Sequence, residues 1–197
     1  MRLLIATTNP DKIREIRPLL DGLSIDLITL ASWPGLAAPE ETGKTFLENA
    51  RAKALYYARA TSELTVAEDS GLEIDALDGA PGVHSARFGG VDTPYPEKFR
   101  MIYAALHAKG QATSAARFVC ALALVRGETV LFETRGFVNG TIAPAPTGSG
   151  GFGYDPILYY PPFGQTLAEA GDRKASVSHR GEAFRALRVY LTVNGQV

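Results

Sequence analysis

The sequence predicts a mixed α/β fold. Three observations carry this expectation. Short apolar runs alternate along the chain with segments of helical periodicity. Near the centre, two long apolar stretches flank Arg126-Gly127-Glu128 and read as an antiparallel hairpin, which excludes a purely parallel winding. No repeat, linker or low-complexity tract interrupts the 197 residues, so the elements belong to one domain, 1–197.

The elements follow in order. "RLLIAT" from Arg2 is a short buried strand. Asn9-Pro10 then supplies a cap and a first-turn proline, and Ile13, Ile16, Leu19 and Leu20 repeat at helical spacing before Gly22. "LSIDLITL" alternates as a second strand, and Ala31 to Lys44 is Pro- and Gly-rich loop. Thr45 and Glu48 form a capping box for a helix from Phe46 to about Ala60. "LTVAED" is a strand expected to end at its acids, with a short separate strand around Leu72 to Leu77. Pro96 to His107 is helical, the hairpin follows, then a glycine loop, a short strand "PILYY" and a last helix from Ser178 to Val193.

Composition narrows the function classes. The chain is 46% hydrophobic and 21% charged with a net charge of −1, which argues against a duplex nucleic acid partner. A single cysteine, Cys120, excludes a disulfide within the chain and reads as a small buried hydrophobe. The N-terminal apolar run of four residues is too short for a signal segment or a membrane span, so a cytoplasmic protein is expected.

Four constellations carry chemistry. In "TTNPDK", Thr7, Thr8 and Asn9 precede a helix whose first turn bears Lys12. A helix N-terminus with a lysine suits an anion, although a cap and a solvated lysine read the same way. In "EETGKTFLENARAK", loop acids Glu40 and Glu41 precede a helix presenting Asn49 and Lys53 on one face, a set able to hold a divalent cation or simply an acidic loop. In "AEDSGLEID", Glu68, Asp69 and Ser70 stand where the strand is expected to end, the usual functional edge of an open sheet. In "TGSGGFGYDP", four glycines in seven residues lead to Phe152, Gly153, Tyr154 and Asp155, and "RKASVSHRG" adds Lys174, His179 and Arg180. Phe152 and Tyr154 offer flat faces to a base, Asp155 an acceptor, and the basic residues donors. Phosphate handles, a carboxylate set and a base platform together describe a nucleoside triphosphate site.

"ATTNPDKIREI", "EETGKTFLENARAKA", "DSGLEIDALDGAPGVHSARF", "GTIAPAPTGSGGFGYDPI" and "KASVSHRGEAFRAL" resemble, in that order, the Ham1/inosine triphosphate pyrophosphatase family from Leu3 to Leu187. The resemblance implies an elongated mixed sheet in two lobes with the active-site cleft between them. It also implies a homodimer, Mg²⁺ dependence, and release of pyrophosphate from ITP, dITP and XTP. It puts the phosphate motif on Thr7, Thr8, Asn9 and Lys12, with Lys53 near the phosphates. The metal glutamate falls on Glu41, the essential aspartate on Asp69 with Ser70 beside it, and base recognition on Phe152, Gly153, Tyr154, Asp155, Lys174, His179 and Arg180. Two departures are Glu68, where many members carry Asp, and Thr8, where Gly is common. Pyrophosphatases of pyrimidine or modified nucleotides, and a nucleotide sensor without turnover, remain alternatives at this point.

Overall fold

A computed structural model describes residues 1–194 of the chain; the last three residues of the expected 1–197 domain lie outside the described residues. Its strands are β1 (Arg2–Ile5), β2 (Asp26–Thr29), β3 (Leu64–Ile74), β4 (Ala115–Arg126), β5 (Thr129–Ile142), β6 (Leu158–Tyr160) and β7 (Gln165–Thr166). Its helices are α1 (Pro10–Leu20), α2 (Phe46–Thr61), α3 (Tyr95–Ala108), α4 (Lys174–Val177) and α5 (His179–Val193). The strands form one sheet in the order β2-β1-β3-β4-β5-β6-β7. β1 pairs in parallel with β2 and β3, and the β5–β6 and β6–β7 pairs are antiparallel. The mixed sheet expected from the hairpin is therefore present.

Local chemistry sets the helix starts. Asn9 Oδ1 accepts from the backbone N–H groups of Asp11 (2.9 Å) and Lys12 (3.3 Å), satisfying donors that the first turn of α1 leaves free. At α2, Thr45 Oγ1 accepts from Glu48 N at 3.2 Å, and Glu48 Oε2 accepts in return from Thr45 N at 3.2 Å, so the capping box is closed. Ser62, in the left-handed conformation, ends that helix.

The chain divides into two compact units. The first comprises Met1–Asp69, Cys120–Gly136 and the chain from His179 onward; the second comprises Ser70–Val119 and Phe137–Ser178. In the first, Leu3 and Ile5 of β1 pack with Ile16, Leu20, Phe184, Leu187 and Leu191. The alternate residues Leu4 and Ala6 pack with Ala54, Tyr57 and Ala58 of α2. Both faces of β1 are thus covered, as a parallel strand requires. The second unit packs Leu72 and Ile74 with Phe99, Ile102 and Leu106 of α3 and with Tyr154, Ile157 and Leu158.

One expectation is corrected. β3 does not end at Asp69 but continues as a single strand of 11 residues, so Glu68, Asp69 and Ser70 lie inside it and the separate strand at Leu72 is its second half. Gly71 is there for proximity, not for a turn: a Cβ at this position would stand 2.3 Å from Ser85 Oγ and 2.8 Å from the Gly82 carbonyl oxygen.

Candidate active site

The first unit gathers the charged residues. Lys12 Nζ lies 3.0 Å from Glu68 Oε1, and the same oxygen accepts from Arg180 Nε (3.2 Å) and Nη2 (3.1 Å). Arg180 Nη1 reaches Glu15 Oε2 at 2.5 Å. Glu68 and Arg180 are buried, and the Cys120 thiol lies 3.6 Å from Glu68 Oε2. Burial alone would raise the Glu68 pKa, but the charges of Arg180, Lys12 and Lys53 outweigh it and hold this carboxyl below the usual range. Burial and the Glu68 charge push the Cys120 thiol up, so Cys120 is the inert buried residue expected. Thr7 Oγ1 accepts from Asn9 N at 3.2 Å, which shapes the turn into α1, and Thr8 beside it is exposed.

A second carboxylate pair surrounds Lys53. Its ammonium lies 2.7 Å from Glu41 Oε1 and 3.6 Å from Asp69 Oδ1. Asn49, one helical turn earlier on α2, donates to Asp69 Oδ2 at 3.0 Å and accepts from Gly43 N at 2.8 Å. Desolvation raises the Asp69 pKa; Lys53 pulls it down, Glu41 pushes it up, and the Asn49 hydrogen bond lowers it, leaving it above the ordinary value. Burial disfavours the Lys53 ammonium, but Asp69 and Glu41 outweigh this and raise its pKa, so it stays charged. Glu41 and Asp69 present hard oxygens with a cation already between them, a donor set that fits a divalent ion. Among the described residues no group of three or more His, Cys, Asp or Glu is arranged to hold a metal, so further ligands would come from substrate and water.

The second unit holds Phe152, Asp155 and Lys174 together. Asp155 Oδ2 accepts from the backbone N–H of Phe152 at 2.8 Å and from Lys174 Nζ at 2.6 Å, and Lys174 Nζ also lies 5.0 Å from the Phe152 ring centroid. A Cβ at Gly151 would come 2.0 Å from Asp155 Oδ2, so only glycine lets this carboxylate fold under its own loop. Gly153, with φ of 70°, carries the chain from Phe152 to Tyr154.

The reading of Tyr154 as a flat face for a base is corrected. Its ring is buried, edge-on to Tyr95 (centroids 5.3 Å, 89°) and tilted against Phe99, while its hydroxyl donates to the Ser85 carbonyl at 2.8 Å. Phe152, half-buried, is the aromatic that remains to face a ligand. Ser70, also half-buried, is the first residue of the second unit. His179 and Arg180 begin α5 in the first unit, and the His179 carbonyl lies so close to Gly136 that a Cβ there would stand 2.2 Å away. Glu15, Ser85 and Lys98 were not singled out from the sequence; Glu15 alone carried a signal, three residues after Lys12 on the same helix.

Comparison with known proteins places this arrangement. The model of the Ham1 family matches residues 3–190. The chain belongs to the Ham1 family. It is 47% identical over 188 residues to a dITP/XTP pyrophosphatase of Thermus thermophilus, covering 95% of this chain and 90% of that protein. It is 44% identical over 192 residues to the dITP/XTP pyrophosphatase of an Exiguobacterium species, covering 97% of each. Among solved Ham1 structures, the Coxiella burnetii HAM1 protein superposes with a TM-score of 0.91 at 38% identity, over 98% of both chains. The Staphylococcus aureus Ham1 protein superposes at 0.88 with 32% identity, over 98% of this chain and 100% of the other. The Ham1 fold is thus the mixed α/β architecture described above.

Proposed function

We propose that this Ham1 family member hydrolyses aberrant purine nucleoside triphosphates (ITP, dITP and XTP) to the monophosphate and pyrophosphate, and so cleanses the nucleotide pool. It is a nucleoside triphosphate pyrophosphatase, a hydrolase acting on acid anhydrides; its relatives in Thermus and Exiguobacterium are named dITP/XTP pyrophosphatases. The observation that carries the reading is the Lys53 ammonium held between Glu41 and Asp69.

Each residue then has a task. Lys12, Lys53 and the N-terminus of α1 with Thr7, Thr8 and Asn9 meet the phosphate charge. Glu41 and Asp69 would hold Mg²⁺, which when bound supplies charge neutralisation at the phosphates. Asp69 accepts a proton from the water that attacks the α-phosphorus. Phe152 stacks on the purine, with Gly153, Tyr154, Asp155 and Lys174 setting its position, and Ser70, His179 and Arg180 completing the nucleotide contacts. Lys174 is a donor only and stands beside Phe152, which suits the 6-oxo group of hypoxanthine and xanthine over the 6-amino group of adenine. The working form is a cytoplasmic homodimer. Among the described residues no helix is long and apolar enough to cross a membrane.

The test is a nucleotide panel with product identification, with and without Mg²⁺, in ¹⁸O water. The expected result is pyrophosphate and labelled monophosphate from ITP, dITP and XTP, with ATP turned over far more slowly. Preference for a pyrimidine nucleotide, free phosphate as first product, or binding without turnover would each overturn the proposal.

A further inference from the structure

The second unit buries a lysine to which the proposed reaction gives no task. Lys98 on α3 is 2% exposed, and its ammonium donates to the Ala86 carbonyl at 2.5 Å while lying 4.8 Å from the Tyr95 ring centroid. Burying an ammonium is costly, and the acceptor that meets this one is a main-chain oxygen rather than a carboxylate. Such a contact fixes backbone.

The backbone it fixes is the 3₁₀ segment Gly82–Arg87, and other groups hold the same turn. Ser85 Oγ accepts from Leu72 N of β3 at 2.9 Å and donates to the Gly82 carbonyl at 2.6 Å. The Ser85 carbonyl, next in the chain to Ala86, accepts from the Tyr154 hydroxyl at 2.8 Å. Tyr154 is in turn the residue between Gly153 and Asp155, and Asp155 binds both the Phe152 N–H and Lys174. The path from the buried ammonium to the aromatic platform is therefore Lys98, Ala86, Ser85, Tyr154, then Phe152 with Asp155.

We infer that Lys98 is a positioning residue for base recognition: by holding the Ala86 carbonyl it aims the Ser85 carbonyl at Tyr154, and this tether sets where Phe152 and Asp155 stand. The inference rests on the reading of Phe152 and Asp155 as base-holding residues. It adds Lys98 and Ser85 as determinants of substrate selection that never touch substrate.

Steady-state kinetics on dITP and dATP tests it, using Lys98→Met, Tyr154→Phe, their double variant, Lys98→Arg and Phe152→Ala in the full chain. Lys98→Met and Tyr154→Phe should each raise the KM for dITP on the order of fivefold, the effect of losing one hydrogen bond, with kcat held within about twofold. Each should narrow the preference for dITP over dATP. The double variant should match the worse single variant, because both cut one tether. Lys98→Arg keeps a donor and should recover most of the lost affinity. If Lys98→Met does not fold, Tyr154→Phe, which removes a single oxygen, decides the question alone. A fall in Tm with KM and preference unchanged would make the tether purely structural and overturn the inference, as would additive effects in the double variant. Should Phe152→Ala raise KM while the tether variants do not, the platform stands and the tether falls. Should Phe152→Ala also leave KM unchanged, the base reading itself is wrong.

Discussion

Arg180 directs two of its N–H donors, from Nε and Nη2, at a single oxygen of Glu68, with both side chains buried. The ion pair makes Glu68 ionisation part of the fold. A carboxyl whose folded pKa is depressed contributes stability above its unfolded pKa and loses it as pH falls through that value toward the folded one. The wild-type Tm should therefore fall as pH drops below about 4.5, an ordinary carboxylate value, and Glu68→Gln should show a flatter acid dependence. The variant leaves buried Arg180 with Glu15 but without Glu68 and should lose on the order of 1–3 kcal/mol at neutral pH, read by denaturant unfolding. An equally stable variant would show that the pair is dispensable.

Asp69 is expected to matter to chemistry more than to stability. Asp69→Asn keeps the size and loses both the charge and the proton acceptor. Turnover should fall on the order of 10²–10⁴-fold while nucleotide affinity, measured by calorimetry, changes far less. Near wild-type turnover would remove Asp69 from its role.

The acid limb of activity should follow Asp69. Its pKa, raised in the metal-free chain, places the deprotonated form at higher pH than for an ordinary aspartate, so kcat/KM at limiting Mg²⁺ should rise with pH through that elevated value. The Asn49 hydrogen bond favours the carboxylate. Asn49→Ala should therefore move the limb further toward neutral pH, visible in a pH–rate profile; an unmoved limb assigns it to another group.

Two basic residues read together in sequence should part in the laboratory. Lys174→Met removes the cation partner of buried Asp155 beside Phe152, so it should raise the KM for dITP, weaken the preference over dATP and cost some Tm. Arg180→Met takes a cation from both Glu68 and Glu15, leaving Lys12 beside Glu68, and should lower Tm more. Equal Tm losses in the two variants would contradict this division.

What the sequence made legible was local. Asn9-Pro10 and the Thr45–Glu48 box start helices through contacts within three residues, and both helices begin where expected. What it hid was distant. Gly71 reads as a turn until Ser85, fourteen positions on, is seen to fill the space of its missing Cβ. The partner of Arg180 lies 112 positions away, so a residue read as a donor to a base is also one that anchors Glu68. Phe152 and Tyr154 look alike in the glycine loop. Only the Ser85 carbonyl and the rings of Tyr95 and Phe99 assign one to the surface and the other to the core.

The threading of the chain through its two units has a consequence for synthesis. The second unit is complete once Ser178 has been added, but the first still lacks the helix that brings Phe184, Leu187 and Leu191 to Ile16 and Leu20, and Arg180 to Glu68. On the ribosome the N-terminal stretch, translated first, is thus the last to be finished, against the usual order of vectorial folding. A chain truncated after Ser178 and released should resist protease across 70–119 and 137–178 while 1–69 stays sensitive. The Arg180–Glu68 ion pair then forms only at the end of translation, so a product truncated before Arg180 lacks the buried cation that holds Glu68 ionised.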